Sequence, residues 1–230
     1  VKSFYYWVDV MVAVVPVKNS RKWQSIGLLM LIFMLISGCG GGSSVSSPIV
    51  VQQPSSPSSP PPTNNEQETA SVRLNPTYNV DVTTDVKYGE GLSHADWNSQ
   101  SAEPMDLLLD VYTPENDETR RPVAVFIHGG GFTGGDKGFS RASDFMHFFA
   151  ERGFVGFSIN YRLQRDFGTI PEALNDAVDN IIGLSQASRD QIKAIYPATR
   201  DAKAAIRWLY ANQQELGIDT DHITVIGGSA

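Results

Sequence analysis

Cysteine is nearly absent. The 230 residues include one, Cys39, so no disulfide can form within the chain and any folded part must rest on its own apolar core. Basic residues are also in deficit, with 18 Lys and Arg against 25 Asp and Glu and a formal charge of −7. That balance argues against nucleic acid as a partner, which wants basic patches. Long hydrophobic runs are missing too. The uncharged apolar block from Ile26 to Gly38 falls well short of the roughly 20 residues that span a bilayer, so a permanent transmembrane helix is the weaker reading. Histidine is scarce as well: His94, His128, His147 and His222 are the only four. No metal site and no cofactor is expected.

What is present begins with the apolar block itself. Lys18, Arg21 and Lys22 precede it, and a positive n-region before a short apolar stretch reads as a secretory signal over residues 1–38. Translation could equally start at Met11. Cys39 follows directly in Leu35-Ile36-Ser37-Gly38-Cys39, which resembles the lipobox of bacterial lipoproteins. The resemblance implies a lipidated Cys39 as the new N-terminus, and an exported, membrane-anchored protein of the cell envelope. The alternative is a free thiol at the end of a signal anchor. Without residues 1–38 the chain retains 14 basic and 24 acidic residues, an acidic surface ordinary for an exported protein. From residue 39 to 76 the chain is rich in Gly, Ser, Pro, Asn and Gln, with Pro60, Pro61 and Pro62 in succession. It cannot bury enough apolar surface to offset its ordering entropy, so it reads as a disordered tether.

Residues 77–230 read as the folded domain. Val80, Val82 and Val86 alternate with polar residues, and so do Met105, Leu107, Leu109 and Val111, the period of half-buried strands. A polar loop from Gly89 to Ser101 is expected between them. Val123 to Ile127 is apolar throughout, the pattern of a strand buried on both faces. A helix is expected over Arg141–Arg152 with Gly153 as its cap, then a strand over Phe154–Ile159. Thr169-Ile170-Pro171-Glu172 has the form of a capping box, with Ala173, Ala177, Ile181 and Leu184 continuing the helix's apolar face. A further helix is expected after Pro197, ending at Gly217, and a last strand from His222. This order predicts an α/β fold, a mostly parallel sheet begun by an antiparallel hairpin.

Two strand ends carry chemistry. Val123–Ile127 breaks at His128 into Gly129, Gly130 and Gly131. A glycine turn at a strand's carboxyl end can bring backbone N–H groups close to an anion. The strand Ile223–Ile226 breaks into Gly227-Gly228-Ser229-Ala230, four of the five positions of Gly-x-Ser-x-Gly. A serine on a tight strand-to-helix turn has its hydroxyl exposed and the next amides aimed at a developing oxyanion. Ligands of such sheets bind beyond the carboxyl ends of the strands, so both motifs are expected on one edge.

From about Met105 to Ala230 the chain resembles the α/β-hydrolase fold. The likeness is to its carboxylesterase and lipase branch with the His-Gly-Gly-Gly motif, the hormone-sensitive-lipase-like and feruloyl-esterase-like group. The matching stretches include Leu109-Asp110-Val111-Tyr112, His128-Gly129-Gly130-Gly131-Phe132, Gly135-Asp136-Lys137, Asn160-Tyr161-Arg162-Leu163, Asp201-Ala202-Lys203-Ala204 and Gly227-Gly228-Ser229-Ala230. The resemblance implies Ser229 as nucleophile toward a small-molecule ester. It also implies an oxyanion hole from the amides of Gly130, Gly131 and Ala230, with His128 orienting the loop. In the family the catalytic acid and histidine follow the serine, whereas all four histidines here precede it. The chain is therefore expected to be an inactive fragment whose sheet is incomplete at the C-terminus. Two other readings stay open: amidase, peptidase or formamidase chemistry at the same site, and a binding module that has lost catalysis. Residues 171–195 intervene where relatives run more directly from Tyr-Arg-Leu into the Asp-Ala-Lys-Ala helix. They are expected to form a lid or pocket wall, or a surface excursion.

Overall fold

The computed structural model describes residues 70–228. The signal, Cys39 and the tether up to residue 69 lie outside the described residues, as do Ser229 and Ala230. Among the described residues five strands form one mixed sheet in the order β1-β2-β4-β3-β5. They are β1 (Val80–His94), β2 (Ala102–Pro114), β3 (Arg121–Ile127), β4 (Val155–Ile159) and β5 (Ile218–Gly227). The β1–β2 and β2–β4 pairings are antiparallel; β3 pairs in parallel with both β4 and β5. Among the described residues three α-helices accompany the sheet: α1 (Ser140–Ala150), α2 (Glu172–Asp179) and α3 (Gln186–Ala211).

Alternation along the strands assigns the two faces. Leu107, Leu109, Val111, Val123, Val125, Val155, Phe157 and Ile159 point to one side, where Ala205 and Leu209 of α3 cover them. Tyr112, Ala124, Phe126 and Ile226 point to the other, against Ala142, Met146 and Ala150 of α1. Apolar residues on both faces of β3 thus make the three-layer architecture that its unbroken hydrophobic run requires. Gly156 lets α1 approach closely, since a Cβ there would meet the Met146 side chain at 3.1 Å.

Several sequence expectations are corrected. α3 does not begin after Pro197. It starts at Gln186, capped by the Ser185 hydroxyl accepting from the Ser188 amide, and Pro197 lies inside it. A proline removes one helical hydrogen bond, but Ala194, Ala198, Asp201, Ala205 and Leu209 form one buried stripe across it. Helical periodicity therefore runs through the proline, and burial outweighs the lost bond. α3 also ends at Ala211, ahead of the expected Gly217. The capping box at Thr169 is not formed: α2 has Pro171 at its N-cap with no side-chain cap bond. α2 stops at Asp179 with Val178 as its buried residue; Ala173 and Ala177 of the expected apolar face are exposed, and Ile181, also exposed, and Leu184 lie beyond the helix's end. The stretch from Gly89 to His94 is strand, with a register shift between Lys87 and Gly89, and only residues 95–101 form the loop. β5 begins at Ile218, four residues before His222. Ahead of β1, the Ala70 and Arg73 amides donate to the carbonyls of Arg120 and Arg152.

Candidate active site

Register brings the two glycine motifs together. Ile127 is paired with Ile159 on one side and with Gly227 on the other. The carboxyl ends of β3, β4 and β5 thus lie level on one edge of the sheet. A cleft of about 370 Å³ opens at this edge, lined by Ile127, His128, Phe132, Tyr161, Ala198, Gly227 and Gly228 among others.

The loop after β3 is held almost entirely through its carbonyls. The His128 carbonyl accepts from the Tyr161 hydroxyl at 2.7 Å. The Gly129 carbonyl lies 2.8 Å from His128 Nδ1; a carbonyl can only accept, so this nitrogen carries the proton. The Gly130 carbonyl accepts from the amides of Thr133 and Gly134 and from the Thr133 hydroxyl. The Gly131 carbonyl accepts from Gln191 Nε2 at 2.7 Å, and that of Phe132 from the Gln164 amide at 2.7 Å.

A peptide group is planar and trans, so fixing a carbonyl fixes the N–H on the far side of the same plane. Holding the Gly129 and Gly130 carbonyls therefore sets the directions of the Gly130 and Gly131 amides. Among the described residues neither amide donates to a protein acceptor. Gly130 (φ +117°) and Gly131 (φ +60°) adopt conformations that favour glycine. At Gly130 the space is closed as well, because a Cβ would be driven into the Gly134 carbonyl.

His128 is buried and stacks on the Tyr161 ring, with centroids 4.3 Å apart at 16°. Burial depresses its pKa, and the bond to the Gly129 carbonyl and the nearby Asp136 oppose the shift without cancelling it. The imidazole is thus a neutral ring with Nδ1 committed to the loop. Burial also pushes the Tyr161 phenol up to about 12, so it stays protonated as the donor to His128. The other histidines lie elsewhere. His94 contacts the Ser99 carbonyl, His147 packs edge-on against Tyr112, and His222 faces Asp219. His147 is half-buried, its ring against Tyr112 near the end of β2.

The neighbouring motifs serve the scaffold. Lys137 Nζ sits 2.7 Å from Asp110 and 2.8 Å from Asp85. Burial lowers its pKa, but bonds from the two aspartates raise it on balance, which keeps it charged. Asn160 accepts from the Lys137 amide and donates to Asp136, tying the end of β4 to the Gly-Asp-Lys turn. Arg162 makes a two-pronged pair with the buried Asp201, at 2.9 and 2.7 Å, and its amide donates to the same carboxylate. The charged members of these motifs are thus used to hold loops.

The expected site residues His128, Gly129, Gly130, Gly131 and Gly227 therefore gather at one sheet edge. Sequence reasoning missed the clamps Thr133, Gln164 and Gln191. Thr133 acts within its own turn, on the carbonyl three residues back, while Gln164 and Gln191 act through contacts that only the tertiary fold creates. Among the described residues no cluster of His, Cys, Asp or Glu is placed to hold a metal ion, and no helix is long and apolar enough to cross a membrane.

Comparison with known proteins adds findings of three kinds. The family model described as BD-FAE matches residues 109–191 and 185–230, together more than half of the chain. Acetylcholinesterase of Gallus gallus is 32% identical over 135 residues, 58% of this chain and 15% of the relative. Para-nitrobenzyl esterase of Bacillus subtilis is 30% identical over 125 residues, 54% of this chain and 22% of the relative. The chain thus spans about a fifth or less of the length of these curated relatives. Among solved structures, the butyrate-bound thermophilic esterase Est2 of Thermogutta terrifontis is 29% identical, covering 54% of this chain and 36% of its own, at a TM-score of 0.40.

Proposed function

The chain belongs to the BD-FAE family, and from that premise we propose that it carries the oxyanion loop and the nucleophile of a serine carboxylic ester hydrolase. The observation that supports this reading is the pairing of Gly227 with Ile127, which sets the end of β5, two residues ahead of Ser229 in the sequence, beside the start of the glycine loop. In this mechanism Ser229 Oγ attacks the ester carbonyl carbon while a base takes its proton. The amides of Gly130, Gly131 and Ala230 receive the negative oxygen of the tetrahedral intermediate. Collapse expels the alcohol with the returned proton, and water then attacks the acyl-serine to release the acid.

In this reading the base is none of the four histidines, because in the family the histidine follows the serine; His128 instead orients the glycine loop, with its Nδ1 proton on the Gly129 carbonyl. Relatives named as esterases favour ester over amide substrates. The signal and lipobox pattern of the sequence support, in the same reading, an enzyme of the bacterial envelope tethered through a lipidated Cys39.

The test is fluorophosphonate labelling of the full-length protein, with the modified peptide mapped by mass spectrometry. Modification at Ser229, abolished in Ser229→Ala, is expected; a folded protein left unlabelled there refutes the assignment.

A further inference from the structure

The helical segment ahead of the Asp-Ala-Lys-Ala stretch was expected to be a lid, a wall or a surface excursion. The structure shows it reaching the glycine loop. Gln191, in the second turn of α3, donates from Nε2 to the Gly131 carbonyl at 2.7 Å. The same atom lies against the Gly131 Cα, since a Cβ there would meet it at 2.8 Å.

Gly131 joins two peptide planes. The plane before it carries its own amide and is held through the Gly130 carbonyl by Thr133 and Gly134. The plane after it is held by Gln191 alone among the described residues. That second plane leads into Phe132, a non-glycine residue at φ +59° whose ring packs on Tyr161 and lines the cleft. Rotation about the Gly131 Cα–C bond turns this plane at low cost in a glycine and would carry Phe132 away from the cleft, while the Gly131 amide stays with the plane that Thr133 and Gly134 hold.

The first turns of α3 are in turn fixed to the rest of the fold. Ser185 caps the helix, Asp190 accepts from Trp97 Nε1 at 2.8 Å, and Lys193 pairs with Asp179 of α2 at 2.7 Å. Gln191 thus projects from a braced helix onto the loop.

We infer that Gln191 is a positioning residue for the oxyanion loop: it locks the Gly131–Phe132 peptide from α3 and makes the 171–195 segment part of the catalytic architecture. The inference rests on the serine-hydrolase reading for its effect on rate, but the lock itself is a property of the fold.

The experiment compares full-length wild type with Gln191→Met, which removes the donor, and Gln191→Glu, which keeps the shape but sets a carboxylate against a carbonyl. Gln191 is exposed, so both variants are expected to keep the wild-type melting temperature. The expected loss in kcat is about 3- to 10-fold for Gln191→Met and larger for Gln191→Glu, with KM little changed. A role in packing alone would reverse that order, because glutamate is the closer match in shape.

The NMR order parameter of the Phe132 amide is followed in parallel and is expected to fall in both variants. If wild type is labelled at Ser229 but the variants match it in kcat and order parameter, the lock is refuted. If wild type is not labelled but the order parameter still falls, the lock stands and the serine reading falls. Should Gln191→Met fail to fold, Gln191→Glu measured against wild type decides by the same two readouts.

Discussion

Gly130→Ala and Gly134→Ala form a matched pair of substitutions four residues apart in one loop, and the structure separates them sharply. Gly130 sits at φ +117°, and an added Cβ would lie inside the 3.0 Å limit to the Gly134 carbonyl, a backbone atom that cannot swing aside. Holding an alanine in such a conformation costs about 1–3 kcal/mol. The clash adds to that and is relieved only by moving the loop. Movement turns the Gly130 amide from its line, and loss of one oxyanion donor typically lowers the rate about 10²- to 10³-fold. Gly134, by contrast, has no heavy atom within 4 Å of its would-be Cβ, and its φ is not among the positive ones. Its amide bond to the Gly130 carbonyl survives the change. The assay is the second-order rate of fluorophosphonate labelling, with circular dichroism confirming the fold. Gly130→Ala is expected to be slower by about 10²-fold or more, and Gly134→Ala to stay within about twofold of wild type. Equal rates for both variants, fast or slow, would refute the reasoning.

Other outcomes follow from the scaffold and the chain's beginning. Asp201→Ala leaves the Arg162 guanidinium part-buried without its partner; a loss of about 3–5 kcal/mol in urea unfolding is expected, and an unchanged midpoint contradicts the role of the pair. Because the folded state depresses the His128 pKa, the unfolded chain takes up that proton first as pH falls below about 6.5. His128 therefore adds stability above that pH and loses it toward the lower folded-state value, with a slope of at most about 1.4 kcal/mol per pH unit. Unfolding of His128→Asn over the same range should be less steep in pH, and an identical slope would remove His128 from the account. In a bacterial host, a palmitate analogue should label the wild-type protein but not Cys39→Ala; equal labelling of both rules out lipidation at that residue.

Legibility followed the range of the contacts involved. β3 could be read because Val123–Ile127 is apolar at every position, and burial on both faces leaves little else for such a run to be. The motifs at 128–131 and 227–228 were readable because glycine marks close backbone approach wherever it is needed. Their adjacency was readable from strand order alone, since parallel strands linked through helices end on one edge. Pro197 misled for a local reason: its cost is visible in the sequence, while the stripe from Ala194 to Leu209 that outweighs it matters only once the sheet is in place. Asp110 shows the same limit. It falls on the alternate face of β2, yet its burial depends on Lys137 arriving from a turn beyond β3. The Gln191 clamp was the least visible, because a glutamine on an exposed helix turn carries no mark of its carbonyl partner 60 residues away.

The central claim is that a hydroxyl at the end of β5 and the amides after β3 serve one acyl group. A crystal structure of the full-length protein inhibited by a fluorophosphonate tests it most directly. The account predicts phosphorus bonded to Ser229 Oγ and the phosphoryl oxygen about 2.7–3.1 Å from the amide nitrogens of Gly130 and Gly131. An adduct on another residue, or a phosphoryl oxygen turned away from those two amides, would contradict it.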